Sequence, residues 1–151
     1  MLDETGAPIT LLLLGASVVL SVLAFSNQKL FSNLLFEPFV IKAQGQWHRF
    51  ITHAFIHANW PHLAVNMFVL FGFGQHVEQA LWFYAPAAPA LAFAALYLGG
   101  ILFSSLPAYR RHLQDPNYRA VGASGAVSAI LFAYILMTPT NTIRFLFIPA
   151  P

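Results

Sequence analysis

The chain has 151 residues, of which 58% are hydrophobic and 8% charged, whereas soluble domains carry about 25% charged residues. Seven Lys+Arg and five Asp+Glu cannot cover a water-soluble fold of this size, so most of the surface must face lipid. A pI near 9.2 rests on a net charge of only +2 with no basic cluster along the sequence, which excludes a nucleic-acid binder. The lack of cysteine excludes disulfides, thiolate metal sites and Cys nucleophiles.

The first apolar run, residues 9–25, follows Asp3 and Glu4 rather than a basic leader, and reads as a retained transmembrane helix. Residues 26–61 are too polar to span and too aromatic for a free loop, which predicts a structured loop with short interfacial helices. A second run starts at Pro61, a residue suited to a first helical turn, and continues to about Phe73 or beyond. A connection is expected over residues 78–84. The third run covers about residues 86–106, where Gly99 and Gly100 permit close helix packing. The fourth covers about residues 120–138 and is followed by an interfacial stretch over 141–147. The expected fold is all-α, a single polytopic membrane bundle over residues 1–151 with four transmembrane helices visible.

Polar groups at membrane depth cost several kcal/mol when unsatisfied, on the order measured for apolar media, so those inside the runs need partners or a task. His62 and Asn66 lie four apart and project from one helical face. By themselves they read as an interhelical hydrogen-bonding pair. Ser124 lies in Gly122-Ala123-Ser124-Gly125 at the start of the fourth run, where unpaired N–H groups can meet a developing oxyanion. The same small residues also suit a packing seam. His53 and His57 are four apart as well, which a helical turn would bring together on a metal with His62, but no carboxylate joins them and Pro61 interrupts the approach. His48, His76 and His112 read as interfacial or solvated residues.

Taken together, Trp47-His48-Arg49-Phe50, His53-Ala54-Phe55-Ile56-His57-Ala58, His62 with Asn66-Met67, then Gly72, Gly74, Val77 and Glu78 resemble the first-loop and second-helix signature of the rhomboid intramembrane proteases. Tyr97-Leu98-Gly99-Gly100 and the later Gly122-Ala123-Ser124-Gly125 extend the likeness over roughly residues 46–147. The resemblance implies an intramembrane serine endopeptidase in which Ser124 is the nucleophile and His62, Asn66 and the Ser124 N–H stabilise the oxyanion. It implies stabilisation of the first loop by Arg49 and its aromatic neighbours, and packing of that loop near the site by His57. It implies no cofactor and no metal, a transmembrane protein as substrate, the lipid bilayer as surroundings, no nucleic acid, and a multi-pass location in a bacterial-type inner membrane.

Family members usually carry at least six transmembrane helices, with the general-base histidine on the sixth. The sequence is expected to break off before the fifth, and the 151 residues alone to be inactive, since a serine hydroxyl is a poor nucleophile without a base. An inactive rhomboid-like protein that binds transmembrane segments is the alternative. Lys29, Lys42, Arg49, Arg110, Arg111 and Arg119 fall in the first and third connections, which the positive-inside rule turns to the cytoplasm, opposite to the orientation common in the family.

Overall fold

The computed structural model describes residues 6–139 and the backbone of 144–145 and 148–149. Its element order is α1 (Pro8–Ser26), α2 (Gln28–Leu34), α3 (Pro38–Gln44), α4 (Arg49–Thr52), a 3-10 turn (His53–Phe55), α5 (Trp60–Tyr84), α6 (Pro89–Arg111) and α7 (Ser124–Met137). Arg144–Phe145 and Ile148–Pro149 pair antiparallel as two short strands, β1 and β2. The expected interfacial stretch over 141–147 lies largely outside the described residues.

Among the described residues the long helices α1, α5, α6 and α7 form one bundle, as the four apolar runs predict, with α5 packing on α1, α6 and α7. Two of them, α1 and α6, are both long and apolar enough to cross a bilayer. At about 1.5 Å per residue the 25 residues of α5 are also long enough, but His62, Asn66, Gln75, His76, Glu78 and Gln79 dilute its apolar character. The fourth, α7, is a shorter apolar helix of 14 residues.

Residues 78–84, expected as a connection, are the last turns of α5. The reason is Glu78, which is buried and accepts hydrogen bonds from Ile9 N (2.9 Å), Thr10 N (2.7 Å) and Thr10 Oγ1 (2.7 Å). A carboxylate that looks like a loop residue in the sequence thus binds the unpaired N–H groups at the start of α1. Lipid surroundings shape α1 itself: Thr10, Ser17, Ser21 and Ala24 face the bundle, while Leu11, Leu12, Val18 and Val19 are exposed. The core is built by Leu63, Met67 and Leu70 of α5, Phe93, Tyr97 and Ile101 of α6, and Ala126, Val127 and Ile130 of α7. The spacing of four along α6 sets its residues on one buried stripe.

Gly100 sets the distance between α6 and α7. A methyl group there would stand 2.8 Å from Ala129 Cβ and 2.9 Å from Ala126 Cα. Gly99 has no such role, since a methyl group there would meet only Phe103, one turn along its own helix. The first loop is structured as expected. Arg49 donates to Leu35 O (2.7 Å), Ser32 O (2.8 Å) and Gln46 Oε1 (2.7 Å), and its guanidinium pairs with Glu37 at 3.1 Å. Burial lowers the Arg49 pKa from its ordinary value and the Glu37 charge opposes that shift.

Candidate functional site

Ser124 is the first residue of α7, and no side chain caps that helix start. The N–H groups of its first turn therefore lack intrahelical acceptors and point away from the helix body. The Ser124 side chain is exposed to a cavity of about 330 Å³ whose lining also includes His53, Ser104, Ser105, Tyr118 and Ser128. Its walls come from the first loop, from α6 and from the connection that leads into α7.

Three contacts between the first loop and that connection fix the turn before Ser124. Phe36 and Ala120 form an isolated antiparallel bridge. Gly122 N donates to His53 O at 2.9 Å. Ala123 N approaches His57 Nε2 at 3.5 Å, while His57 Nδ1 lies 2.9 Å from Ser21 Oγ and Ser21 Oγ donates to Phe55 O at 3.3 Å. This chain assigns a neutral His57 with its proton on Nδ1, since Nε2 must accept. Burial drives its pKa down to about 4, with His62 alongside adding to the shift.

His62 reaches the same turn from α5, where Asn59 accepts from the His62 N–H at 2.9 Å and so caps the helix. The His62 ring packs edge-on to His57, with centroids 5.1 Å apart, and lies against Gly122. A methyl group on Gly122 would stand 2.5 Å from His62 Cε1 and 2.8 Å from Nε2. With φ at +116°, only glycine fits there without strain. Gly125 is equally restricted, since a methyl group would overlap Ser104 Oγ.

The structure therefore brings His62 to the residues just before Ser124. Asn66 is buried one turn further along α5, and its amide donates to His62 O at 2.9 Å. A carboxamide carries two N–H donors, so one remains for another acceptor. Among the described residues neither His62 nor Asn66 lines the cavity that holds Ser124, because the Gly122 turn stands between that cavity and the His62 ring.

Of the three histidines that a shared metal would need, His53 and His57 are engaged elsewhere. His53 Nδ1 binds Arg49 O at 2.8 Å and its Nε2 lies 3.3 Å from Ser105 Oγ. The helical turn that would align His53 with His57 ends at Phe55, and Ile56 is extended. Burial lowers the His53 pKa as well, opposed by its bond to Arg49. His76 binds Gly72 O at 2.7 Å within α5, and His112 pairs with Asp115 at 3.3 Å and stacks on Tyr118.

Sequence reasoning missed Ser104, Ser105, Tyr118 and Ser128 as cavity residues. Ser128 carried a usable signal, lying four after Ser124 and so on the same helical face. Glu37 was missed as well. It pairs with Arg119 at 2.7 Å in addition to Arg49, tying the first loop to the connection before α7.

A bundle of apolar helices bearing a serine-lined cavity, with one of those serines at a helix start, defines an integral membrane protein with a candidate nucleophilic site. The Rhomboid domain family matches residues 44–151, and the chain belongs to that family. It is 28% identical over 162 aligned positions to RHOMBOID-like protein 12, mitochondrial, of Arabidopsis thaliana, covering 99% of this chain and 47% of that protein. It is 35% identical over 96 positions to Rhomboid-like protein 11, chloroplastic, of the same plant, covering 60% and 29%. With Rhomboid-related protein 1 of Caenorhabditis elegans it shares 32% over 99 positions, covering 64% and 24%. The chain thus spans between about a quarter and a half of the length of these relatives. The family includes serine proteases that act on membrane-protein substrates.

Proposed function

We propose that the chain is the Ser124-bearing part of an intramembrane serine endopeptidase. The observation that carries this reading is the exposed Ser124 hydroxyl at an uncapped helix start, facing an open cavity that Ser104, Ser105 and Ser128 also line, in an apolar bundle. In the proposed reaction Ser124 Oγ attacks the scissile carbonyl of a transmembrane protein and loses its proton to a histidine base, which we assign to a further segment following residue 151. The oxyanion is met by the Ser124 N–H, and by the His62 ring and the free donor of Asn66 once the Gly122 turn that separates them from the Ser124 cavity shifts. The proton then passes to the leaving amine, and water releases the acyl group. Donors already held in a low-dielectric site need little reorganisation as charge develops, and each contributes about 100-fold to 1000-fold. We place the protein in a bacterial-type inner membrane, as a single rhomboid domain over residues 1–151 continued by that further segment.

A non-catalytic rhomboid that binds transmembrane segments is the second reading, favoured by the hydrogen bond that commits one Asn66 donor to His62 O. Cleavage of a fluorogenic transmembrane peptide in liposomes separates the two, using the chain extended through the segment with the base. Ser124→Ala should abolish turnover without changing insertion, and Asn66→Ala should slow it about 100-fold. Normal cleavage by Ser124→Ala would remove the nucleophile assignment. Peptide binding without turnover by the unmodified protein would establish the second reading.

A further inference from the structure

The basic residues are scattered along the sequence, but the fold gathers at one end the six whose side chains are described. These six lie in α2, α3, α4, the last turn of α6 or the connection to α7, at the Ser124 end of the bundle. Four of them are unused: Lys29, which stands apart in α2, and three nearer the end of α6. Among the described residues Lys42, Arg110 and Arg111 make no ion pair or side-chain hydrogen bond, and all three are exposed.

Lys42 belongs to a small cavity of about 180 Å³ between α3 and the chain just after α6, walled by Phe39 and Leu113 with Gln114 beside them. Arg110 and Arg111 end α6 immediately before those residues. Below them runs an exposed apolar stripe. Leu102 (43% exposed) and Leu106 (37%) precede Arg110 at intervals of four, and Phe103 (77%) precedes Arg111 by eight. Residues at these intervals share a helical face. The depth of this point is marked by an aromatic cluster: Tyr109 packs on Phe50 and Trp47 with centroids 5.0 and 5.9 Å apart, and Trp47 is 59% exposed. Tryptophan and tyrosine collect at the headgroup level of bilayers.

We propose that Lys42, Arg110 and Arg111 form a binding site for the phosphate headgroup of an anionic glycerophospholipid, whose acyl chains lie along Leu102, Phe103 and Leu106. Unpartnered cations at the head of a lipid-facing apolar stripe match a molecule with a phosphate above and hydrocarbon below. A free phosphate would use only the cations and leave the stripe without a part in recognition. Guanidinium groups suit such an acceptor because their N–H donors can engage two phosphate oxygens at once. The site requires that the protein is embedded in a bilayer and does not depend on whether Ser124 is catalytic.

Native mass spectrometry of the detergent-purified protein, titrated in parallel with phosphatidylglycerol and phosphatidylcholine, tests the proposal. Each basic residue near an anionic surface strengthens attraction about fivefold, so the unmodified chain should retain phosphatidylglycerol at least about fivefold better. The triple variant Lys42→Gln, Arg110→Gln, Arg111→Gln should retain the two lipids equally. Arg110→Lys with Arg111→Lys should keep the preference, as should Lys29→Gln, which removes a charge in α2. Equal retention by the unmodified chain, or a preference that survives in the triple variant, would overturn the site. So would displacement of phosphatidylglycerol by millimolar glycerol 3-phosphate, since the headgroup alone would then suffice.

Discussion

Phe36 and Ala120 exchange two backbone hydrogen bonds, each 3.0 Å long, and so join the first loop to the segment four residues before Ser124. Glu37, next to this bridge, holds Arg49 on one side and Arg119 on the other. Arg49 is nearly buried whereas the Arg119 side chain is 63% exposed, so the two halves of the bridge are unequal. Glu37→Gln should destabilise the detergent-solubilised protein by about 2 kcal/mol, and Arg119→Gln by less than about 1 kcal/mol. Thermal unfolding of the two variants checks the ranking, and equal melting temperatures would contradict it.

Gly122 admits no side chain, because its φ is positive and the His62 ring occupies the space. Gly122→Ala should cost about 2 kcal/mol in stability through strain and overlap. It should also reduce cleavage by the extended protein, since both His62 and the turn before Ser124 must shift. A variant that melts and cleaves like the parent would show that His62 does not need its present place.

Removing the Glu78 carboxylate leaves three donors at the start of α1 without an acceptor. Glu78→Ala should lower stability by about 3 kcal/mol, and Glu78→Gln, which keeps one acceptor oxygen, by less. The readout is the melting temperature together with protease sensitivity near residues 6–10. Unchanged stability in Glu78→Ala would mean that water replaces the carboxylate fully.

His57 gives the fold a pH limit. Its pKa is held near 4 against an ordinary 6.5, so the unfolded chain binds the proton more readily than the folded one. This contribution to stability is fully present above pH 6.5 and is lost as the pH falls towards 4, amounting to about 3 kcal/mol at most. Protonated Nε2 would also confront the Ala123 N–H, two donors face to face. Melting temperatures should therefore fall between pH 6.5 and 4, and His57→Gln should flatten that slope. An equally steep slope in His57→Gln would place the titration elsewhere.

Features with a local signature were legible in the sequence. The apolar runs gave four long helices, the Pro61 start lies within one residue of the observed Trp60, and the small residues around Ser124 marked a helix N-terminus. The spacing of His62 and Asn66 placed them one turn apart, as found. Pairings between distant segments carry no such signature. Nothing near Glu78 announces Thr10, and nothing near Glu37 announces Arg119, so one looked like a loop acid and the other like a surface charge. The His53 and His57 spacing suggested a shared ligand only while a continuous helix was assumed, and the chain is extended at Ile56.

The clasp between Thr10 and Glu78 also orders events in time. The two residues are 68 positions apart, so α1 leaves the ribosome long before its acceptor exists. At synthesis rates of about 5–20 residues per second, that interval is about 3 to 14 s. During it the N–H groups at the start of α1 can be satisfied only by water or lipid headgroups, which holds that end at the membrane surface. Only when the last turns of α5 arrive can α1 settle to its final depth, so a helix made before α5 is secured only after it.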